Sequence, residues 1–544
     1  MKLLYNSRIY TLEASHLIVS AVAVEYGRVV AVGETDELFS EFDRAEKQDM
    51  GGRIILPGLT DAHLHLQNYA LSLQKIDCET DTLAECLSRV QECVRSAQPS
   101  EWILGHGWNQ NNWLPSPLGR GAGGSPQNGG EGGQWPSTAD LDKIAPDNPV
   151  YLTAKSLHAA WANSAALKLA DIMPASSDPA NGQLQRDDKG QLTGILLETA
   201  MELVSRVIPE PAVETIAEAI EQTQPILWRM GVTGVHDFDR RDCFMALQQL
   251  HAQGKLKLRV TKSIPIENLQ HAIELGLRTG FGDDWLRIGS VKAFMDGALG
   301  PRTAAMFQPY ANEPENRGIL NMDAEELFES GRQAVEAGLS LAVHAIGDRA
   351  NHEVLDAYEQ LRRLERDLNL PPLRHRIEHV QNLHPDDAGR LGELGIIASM
   401  QPIHATSDMQ MADQYWGERA ALSYAWRTQL QHDAQLALGS DAPVEVPNPF
   451  LGLHAAVTRQ RLDGSPSVDG WYPEQRLSMQ QAIEGYTLGA AYAAGMEDRL
   501  GKLASGYLAD LIVLEQDPFV IPPADLLEMA SSATMVGGEW VWQS

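Results

Sequence analysis

Residues 55–67 read ILPGLTDAHLHLQ: an apolar run meets Pro57-Gly58 and ends in His63-Leu64-His65. Successive side chains of a strand point to opposite faces, so His63 and His65 would project together while Leu64 packs on the opposite side. Two imidazoles on one face can bind one divalent metal ion, but two ordinary histidines explain the pair equally well. A metal site therefore requires further ligands elsewhere in the chain.

The composition is that of a large, acidic globular protein. The 544 residues carry a formal net charge of −30, so the field around the protein would repel nucleic acid and anionic membrane surfaces. Residues 1–10 show no secretory signal, and no apolar run approaches the ~20 residues that span a bilayer. The four cysteines form no C-x-x-C pair, which is typical of reduced thiols. We therefore expect a cytoplasmic protein without nucleic-acid or membrane partners.

From residue 232 onward, apolar strand patterns alternate with helical ones, such as residues 324–337 and 350–368. The strand before His63 is joined by seven further candidates at residues 232–238, 258–264, 288–295, 339–346, 376–380, 396–400 and 435–438. Eight such β–α units predict an α/β fold of the TIM-barrel type, whose active site forms at the carboxyl ends of the strands.

The two ends of the chain are rich in short strand patterns that could not bury a sheet face alone. We therefore predict that residues 1–56 and 501–544 pair into one small discontinuous β-domain, beside a barrel domain over residues 57–500. Residues 70–228 do not fit one β–α connection and predict a large insertion after the first barrel strand, with a helix over residues 82–97. Within it, residues 114–136 are dominated by Gly, Pro and Ser and predict a flexible surface loop.

Four more candidate ligands lie where predicted barrel strands end, and these are Lys292, His344, His379 and Asp441. Each has an ordinary explanation: an ion-paired lysine, a core histidine or a turn aspartate. With the His63 pair they fall on strands one, four, five, six and eight, which a closed barrel brings to one rim. A single metal centre explains the presence of candidate ligands at the ends of five strands better than five independent coincidences do. An ammonium group has no lone pair for a metal, but an amine carboxylated by CO₂ becomes an anionic carbamate able to bridge two cations.

The pattern PGLTDAHLH, VKAFMDG, HAIGDRA, IEH and GSDAP resembles the amidohydrolase superfamily. More narrowly, the chain resembles the amidohydrolase-3 (YtcJ-like) family, which includes N-substituted formamide deformylases. The likeness covers nearly the whole chain and includes residues 296–304 and the tail around residues 487–510. The resemblance implies a metal-dependent-hydrolase TIM barrel with a β-sandwich built from both termini.

Every position of the family's metal ligands is occupied in this chain. The resemblance implies two divalent ions, with zinc expected, held by His63, His65, N6-carboxylated Lys292, His344, His379 and Asp441. A hydroxide that bridges the two ions would attack the substrate, and Asp441 would carry a proton to the leaving amine. The expected reaction is hydrolysis of a C–N bond other than a peptide bond, in a small amide, an N-substituted formamide or a cyclic amide.

Two departures from the family concern the substrate side of the site. The family usually shows Asp-Gly-His where this chain has Ser156-Leu157-His158, and the Gly-rich segment is an addition. The candidate substrate contacts are Trp108, His158, Asp296 and Arg302, and packing is the favoured role for Trp108. The sequence leaves the substrate and the identity of the metal open, and a homodimer is the expected assembly.

Two other functions are compatible with the sequence. A mononuclear deaminase or aminoacylase could use the same barrel, although a lone metal has no need of a bridging carbamate on Lys292. An inactive scaffold protein would be expected to lack ligands, and none is missing from this sequence. The metal content per chain distinguishes these alternatives.

Overall fold

The computed structural model describes residues 1–13, 18–109, 113, 135–155, 159–179 and 182–544. These residues form two compact units, one of Met1–Ala70 together with Val213–Ser544 and the other of Leu71–Ala212. In the described part of the chain, no helix is both long enough and apolar enough to cross a membrane.

A parallel sheet of eight strands forms the centre of the first unit. In chain order, barrel strands one to eight are Leu59–Leu64, Val232–Asp237, Arg259–Pro265, Leu286–Phe294, Leu341–Ala345, Arg376–His379, Ile397–Met400 and Leu436–Leu438. Each strand pairs in parallel with the next one along the chain. After strand eight the chain returns to strand one, where the Asp441 amide donates to the His63 carbonyl at 2.7 Å. The predicted TIM barrel is confirmed, with every predicted strand close to its expected place.

Helices and short helical turns connect the strands of this part of the chain. The strands are largely buried because parallel strands are covered on both faces, and strand one is buried at all six positions although it contains Thr60, Asp61 and His63. The α-helices from residue 213 onward are Val213–Arg229, Arg241–Ala252, Leu269–Glu274, Ala324–Glu336, Asp348–Asp367, Arg390–Leu394, Pro402–Trp416, Trp426–Gln431, Pro449–Thr458, Met479–Glu484 and Ala490–Ala493, and two earlier ones are Thr35–Glu41 and Leu66–Ser72. The short 3₁₀ or π turns are Ile266–Asn268, Pro385–Asp387, Gly417–Leu422, Pro473–Gln475, Gly485–Gly489 and Pro523–Glu528.

A local capping signal fixes the start of one long helix. The Asp323 side chain accepts the amides of Glu325 and Glu326, and the Glu326 side chain accepts the Asp323 amide in return. This arrangement starts Ala324–Glu336, which confirms the helix predicted over residues 324–337. The helix predicted over residues 350–368 is also confirmed and begins two residues earlier, at Asp348.

Strands from both ends of the chain form two further sheets. One has the order Glu539–Gln543, Ala533–Val536, Leu511–Leu514, Ile54–Pro57, Arg8–Tyr10 and Ile18–Val19, and the other has Arg28–Gly33, Ala21–Glu25, Lys2–Tyr5 and Glu46–Asp49. Leu511–Leu514 pairs antiparallel with Ile54–Pro57, so carboxyl-terminal strands complete a sheet begun by amino-terminal ones. One apolar core contains Leu4 from the second sheet and Ile55 from the first. The predicted discontinuous β-sandwich is confirmed.

The second unit contains a mixed six-stranded sheet. Its strand order is Gly182–Arg186, Leu192–Glu198, Ala159–Ala162, Val150–Ala154, Ile103–Trp108 and Ile76–Asp77, and its helices are Leu83–Ser96, Thr138–Asp142, Ser164–Leu169 and Met201–Ser205. The helix predicted over residues 82–97 is confirmed, whereas helix Val213–Arg229, placed by the sequence in the insertion over residues 70–228, groups with the first unit. Residues 114–134 of the predicted Gly-rich loop lie outside the described residues.

A buried ion pair joins the barrel to the carboxyl-terminal strands. Arg259 of strand three contacts both carboxylate oxygens of Asp510, and its Nη2 lies 2.7 Å from Oδ1. Asp510 also accepts the Gly537 amide at 2.8 Å. Both charged side chains are buried, so each depends on the other for a counter-charge.

We expect Asp510→Ala to lower the free energy of unfolding by about 3–5 kcal/mol, because Arg259 would remain buried without a counter-charge. Urea unfolding followed by circular dichroism measures the change. Glu221→Ala is the matched control, since it removes the exposed pair that Glu221 forms with Lys255 at 2.9 Å. We expect that control to lose less than about 1 kcal/mol. Equal losses in the two variants would contradict a special role for the buried pair.

Candidate metal centre

All six predicted metal ligands lie at the carboxyl-terminal rim of the barrel. They are His63 and His65 at the end of strand one, Lys292 in strand four, His344 in strand five, His379 at the end of strand six and Asp441 just after strand eight. Parallel strands in a closed barrel bring these ends together although the residues are far apart in sequence.

The ligand atoms approach one another at distances that suit a shared metal ion. Asp441 Oδ1 lies 3.5 Å from His63 Nε2 and 3.6 Å from His65 Nε2, which is long for a hydrogen bond. Two ligands of one tetrahedral ion, each about 2.1 Å from it, are about 3.4 Å apart. One ligand atom each from His63, His379 and Asp441 lie within 4.8 Å of one another, and the His344 and His379 ring centres are 4.6 Å apart. The donor set therefore fits divalent metal ions.

Glu378 orients His63. Its Oε2 lies 2.5 Å from His63 Nδ1, and because an ionised carboxylate only accepts, Nδ1 carries the proton and Nε2 keeps its lone pair. Burial alone would raise the pKa of Glu378, but Arg376 and Lys292 outweigh that effect and hold the pKa below its ordinary value. Burial and then Lys292 lower the pKa of His63 well below its ordinary value, so the ring stays neutral. A neutral imidazole with a directed lone pair is the form that binds a metal.

Asp239 stands behind His65 in a similar way. Its Oδ1 lies 3.4 Å from His65 Nδ1, and its Oδ2 accepts the Gln67 amide at 2.6 Å. Burial alone would lower the pKa of His65, but the hydrogen bond and charge of Asp239 raise it overall. The carboxylate of Asp237, two residues before Asp239, forms a 2.9 Å ion pair with the buried Lys262. Each histidine of the His-x-His pair therefore has a buried carboxylate next to its Nδ1.

His379 and His344 are oriented by carbonyl oxygens. His379 Nδ1 lies 2.8 Å from Gln401 Oε1, and His344 Nε2 lies 2.9 Å from the Gly297 carbonyl oxygen. Because a carbonyl oxygen only accepts, each ring donates through that nitrogen and keeps the other one free. Burial lowers the pKa of His344 to about 3 and that of His379 well below its ordinary value. Both rings are therefore neutral donors of one lone pair.

Lys292 is a buried amine between aromatic rings. Its Nζ lies 4.7 Å from the ring centre of Phe238 and 4.8 Å from that of Phe294. Among the ion pairs formed by the described residues, none includes Lys292. Burial lowers its pKa to about 8, so a fraction of the amine is neutral near pH 7 and able to react with CO₂. These surroundings fit a lysine that becomes a carbamate.

The backbone is strained at the rim. His379, Val380 and Asp441 adopt left-handed backbone, with φ of +78°, +44° and +62°. A β-branched residue such as Val380 is rarely found there. Strain of this kind costs on the order of 1–3 kcal/mol per residue and persists only where the surrounding structure holds it. Its position at two candidate ligands is an independent sign of a functional site.

The predicted substrate contact Asp296 is surrounded by backbone. Its buried carboxylate accepts the amides of Ala305, Ile346 and Gly347 at 2.8, 3.0 and 2.8 Å. Burial raises the pKa of Asp296 to about 7. The carboxylate therefore ties together the loops that follow strands four and five.

The three other predicted substrate contacts have different surroundings. Arg302 forms a 2.5 Å ion pair with Glu313 and is partly exposed. Trp108 is buried in the core of the second unit, where its indole N–H donates to the Leu152 carbonyl at 2.8 Å. His158 lies outside the described residues. Substrate contact by these residues stays a prediction.

Sequence reasoning missed four buried polar residues beside the ligands, which are Asp239, Glu378, Gln401 and His404. Glu378 directly precedes His379, and that adjacency was the one available signal. Gln401 and His404 follow strand seven, which carries no candidate ligand, so no motif marked them. His404 Nε2 nevertheless lies 3.8 Å from Asp441 Oδ2.

Comparison with known proteins shows the family to which the chain belongs. A sequence model of the amidohydrolase family matches residues 46–542. This chain belongs to the amidohydrolase family. LONG AFTER FAR-RED 3 of Arabidopsis thaliana is 33% identical over 99% of this chain and 91% of the relative. The YtcJ protein of Bacillus subtilis is 31% identical over 98% of both, and the N-substituted formamide deformylase of Arthrobacter pascens is 27% identical over 98% of this chain and 97% of that enzyme.

A solved structure shares this amidohydrolase architecture. An uncharacterised metal-dependent hydrolase from Pyrococcus horikoshii is 30% identical and superposes with a TM-score of 0.77, covering 96% of this chain and 99% of that one. The family resemblance predicted from the sequence motifs is confirmed. Family membership and the shared fold together support a metal-dependent hydrolase.

We expect Glu378→Gln to weaken zinc affinity about 10- to 100-fold, because His63 would lose the carboxylate that directs its lone pair. Competition with a chelating dye measures the Kd of zinc for each variant. Glu365→Gln is the matched control, since Glu365 is equally buried and lies 3.2 Å from His375, which is not a candidate ligand. An equal loss in the control, or no loss in Glu378→Gln, would contradict the orienting role.

Proposed function

We propose that this amidohydrolase cleaves a C–N bond other than a peptide bond, in a small amide, an N-substituted formamide or a cyclic amide. The observation that carries the proposal is the position of Asp441, whose Oδ1 lies 3.5 and 3.6 Å from the imidazoles of His63 and His65. A carboxylate in that position can bind a metal and exchange a proton with a water molecule at the same place. The near-full-length similarity to an N-substituted formamide deformylase supports this class of substrate.

The residues that would hold the metal ions are His63, His65, His344, His379, Asp441 and Lys292 in its carbamate form. The carbamate forms when the neutral Lys292 amine adds to CO₂ and releases one proton. Two divalent ions held there, with zinc expected, would lower the pKa of water from ~15.7 toward ~7 and polarise the substrate carbonyl.

Asp441 moves the proton in the proposed reaction. Its carboxylate accepts one proton from the attacking water as the water oxygen bonds to the carbonyl carbon. It then gives that proton to the amide nitrogen as the C–N bond breaks, so that the amine leaves and a carboxylic acid remains. Burial raises the pKa of Asp441, which suits a group that must hold the proton between these two steps.

We expect protein purified without chelator and with bicarbonate to contain about two metal ions per chain, and Lys292→Ala to lose a clear part of them, because the bridge would be absent. Mass spectrometry of the metals measures the content. Lys257→Ala is the control, since Lys257 pairs with Glu539 at the surface. One ion per chain, unchanged by Lys292→Ala, would favour the mononuclear deaminase or aminoacylase. If the protein bound no metal ion even after attempts to load it, the remaining alternative would be the inactive scaffold protein.

We expect Asp441→Asn to lower kcat for an N-substituted formamide about 10²- to 10⁴-fold, because asparagine cannot accept and return a proton. Release of the amine measures the rate. Asp433→Asn is the matched control: Asp433 has the same left-handed φ of +62° but is exposed, and we expect parental activity. Asparagine tolerates this backbone as well as aspartate does, so backbone strain would not explain a difference in activity between the two variants. Parental activity in Asp441→Asn would contradict the proposed proton transfer.

A further inference from the structure

His404 borders the candidate centre without belonging to the predicted ligand set. It lies in the first turn of helix Pro402–Trp416 and is only 6% exposed. Its Nε2 lies 3.8 Å from Asp441 Oδ2, whereas the other carboxylate oxygen, Oδ1, faces His63 and His65. The His404 ring is nearly parallel to that of His379, with an angle of 18° and centroids 6.0 Å apart. The imidazole therefore lies beside both the Asp441 carboxylate and the His379 ring.

The neighbours of His404 fix which ring nitrogen carries its proton. The Gln381 amide nitrogen lies 3.4 Å from His404 Nδ1 and donates to it. An imidazole whose Nδ1 accepts a hydrogen bond carries its proton on Nε2. Nε2 is buried and has no hydrogen-bond partner among the described residues, and Asp441 Oδ2 lies beyond hydrogen-bond reach. A buried donor without an acceptor is unfavourable, so a bound molecule is the expected acceptor.

We propose that His404 is a further catalytic residue, whose Nε2–H donates a hydrogen bond to the carbonyl oxygen of the scissile amide. This inference rests on the proposed function. The carbonyl oxygen is the acceptor of an amide, because the nitrogen lone pair is delocalised. Because His404 Nε2 lies beside the Asp441 carboxylate, an amide attacked by a water at Asp441 can place its carbonyl oxygen next to His404. Negative charge grows on the oxygen in the transition state, so the hydrogen bond strengthens there and lowers the barrier.

A different role for His404 would be to position Asp441. That role predicts a loss of zinc affinity when His404 is replaced, because Asp441 is itself a candidate ligand. A substrate contact predicts unchanged zinc affinity and weaker binding of a molecule that presents a carboxylate oxygen in place of the carbonyl oxygen. Formate is such a probe, since it is the acid product of formamide hydrolysis.

The test compares the zinc-loaded parent with His404→Phe and His404→Gln. Calorimetry measures the Kd of formate, dye competition measures the Kd of zinc, and amine release measures kcat/KM. We expect His404→Phe to bind formate about 10- to 100-fold more weakly and to lose about 10²- to 10³-fold in kcat/KM, with zinc affinity unchanged. His404→Gln keeps an N–H donor on a flexible side chain and should recover part of the formate affinity.

Each other outcome has a separate meaning. Formate binding that is unchanged in His404→Phe, or absent from the parent, overturns the contact. A loss of zinc affinity that matches the loss of formate affinity overturns it in favour of positioning. A parent that binds formate through His404 but hydrolyses no amide supports the contact and overturns the proposed function.

Discussion

The buried carboxylate of Glu378 holds together the part of the barrel on which the candidate centre depends. It accepts a hydrogen bond from His63 of strand one at 2.5 Å and pairs with Arg376 of its own strand. Arg376 in turn donates to Ser399 of strand seven at 2.5 Å and lies 2.9 Å from His236 of strand two. An unpaired charge is costly in such a buried network, so strand placement and the orientation of His63 are fixed together. The geometry of the centre is therefore a consequence of barrel closure.

The rim of the barrel was predictable from the sequence because most of its strands contain apolar runs that alternate with helical patterns. Lys292 and His344 stand out as polar residues at the ends of such runs, and the parallel order of a barrel places those ends together. The residues behind the ligands could not be predicted in this way. Glu378 and Asp239 act on histidines of other strands, and strands six and one, which carry Glu378 and His63, are not adjacent in the sheet, so their contact depends on how side chains pack inside the closed barrel.

The position of helix Val213–Arg229 shows a second limit of sequence reasoning. The helix is amphipathic, but its pattern alone does not say which core its buried face covers. In the structure, the carbonyl oxygens of Trp228 and Arg229 accept from Thr534 Oγ1 at 2.7 Å and the Ser531 amide at 2.9 Å. Contacts with a segment so distant in sequence assign the helix to the first unit, and no local pattern records them.

The charges of the proposed centre and of the whole protein favour a neutral substrate. Neutral imidazoles would leave Asp441 and a carbamate on Lys292 as the negatively charged ligands, too few to balance two divalent ions. The centre would therefore attract the electron-rich oxygen of a neutral carbonyl. Outside the centre, the net charge of −30 repels anions, although physiological salt screens this repulsion beyond ~8 Å. In the proposed reaction a neutral amide would enter this field without opposition, whereas the carboxylate product, once it has left the metal ions, would be repelled by it.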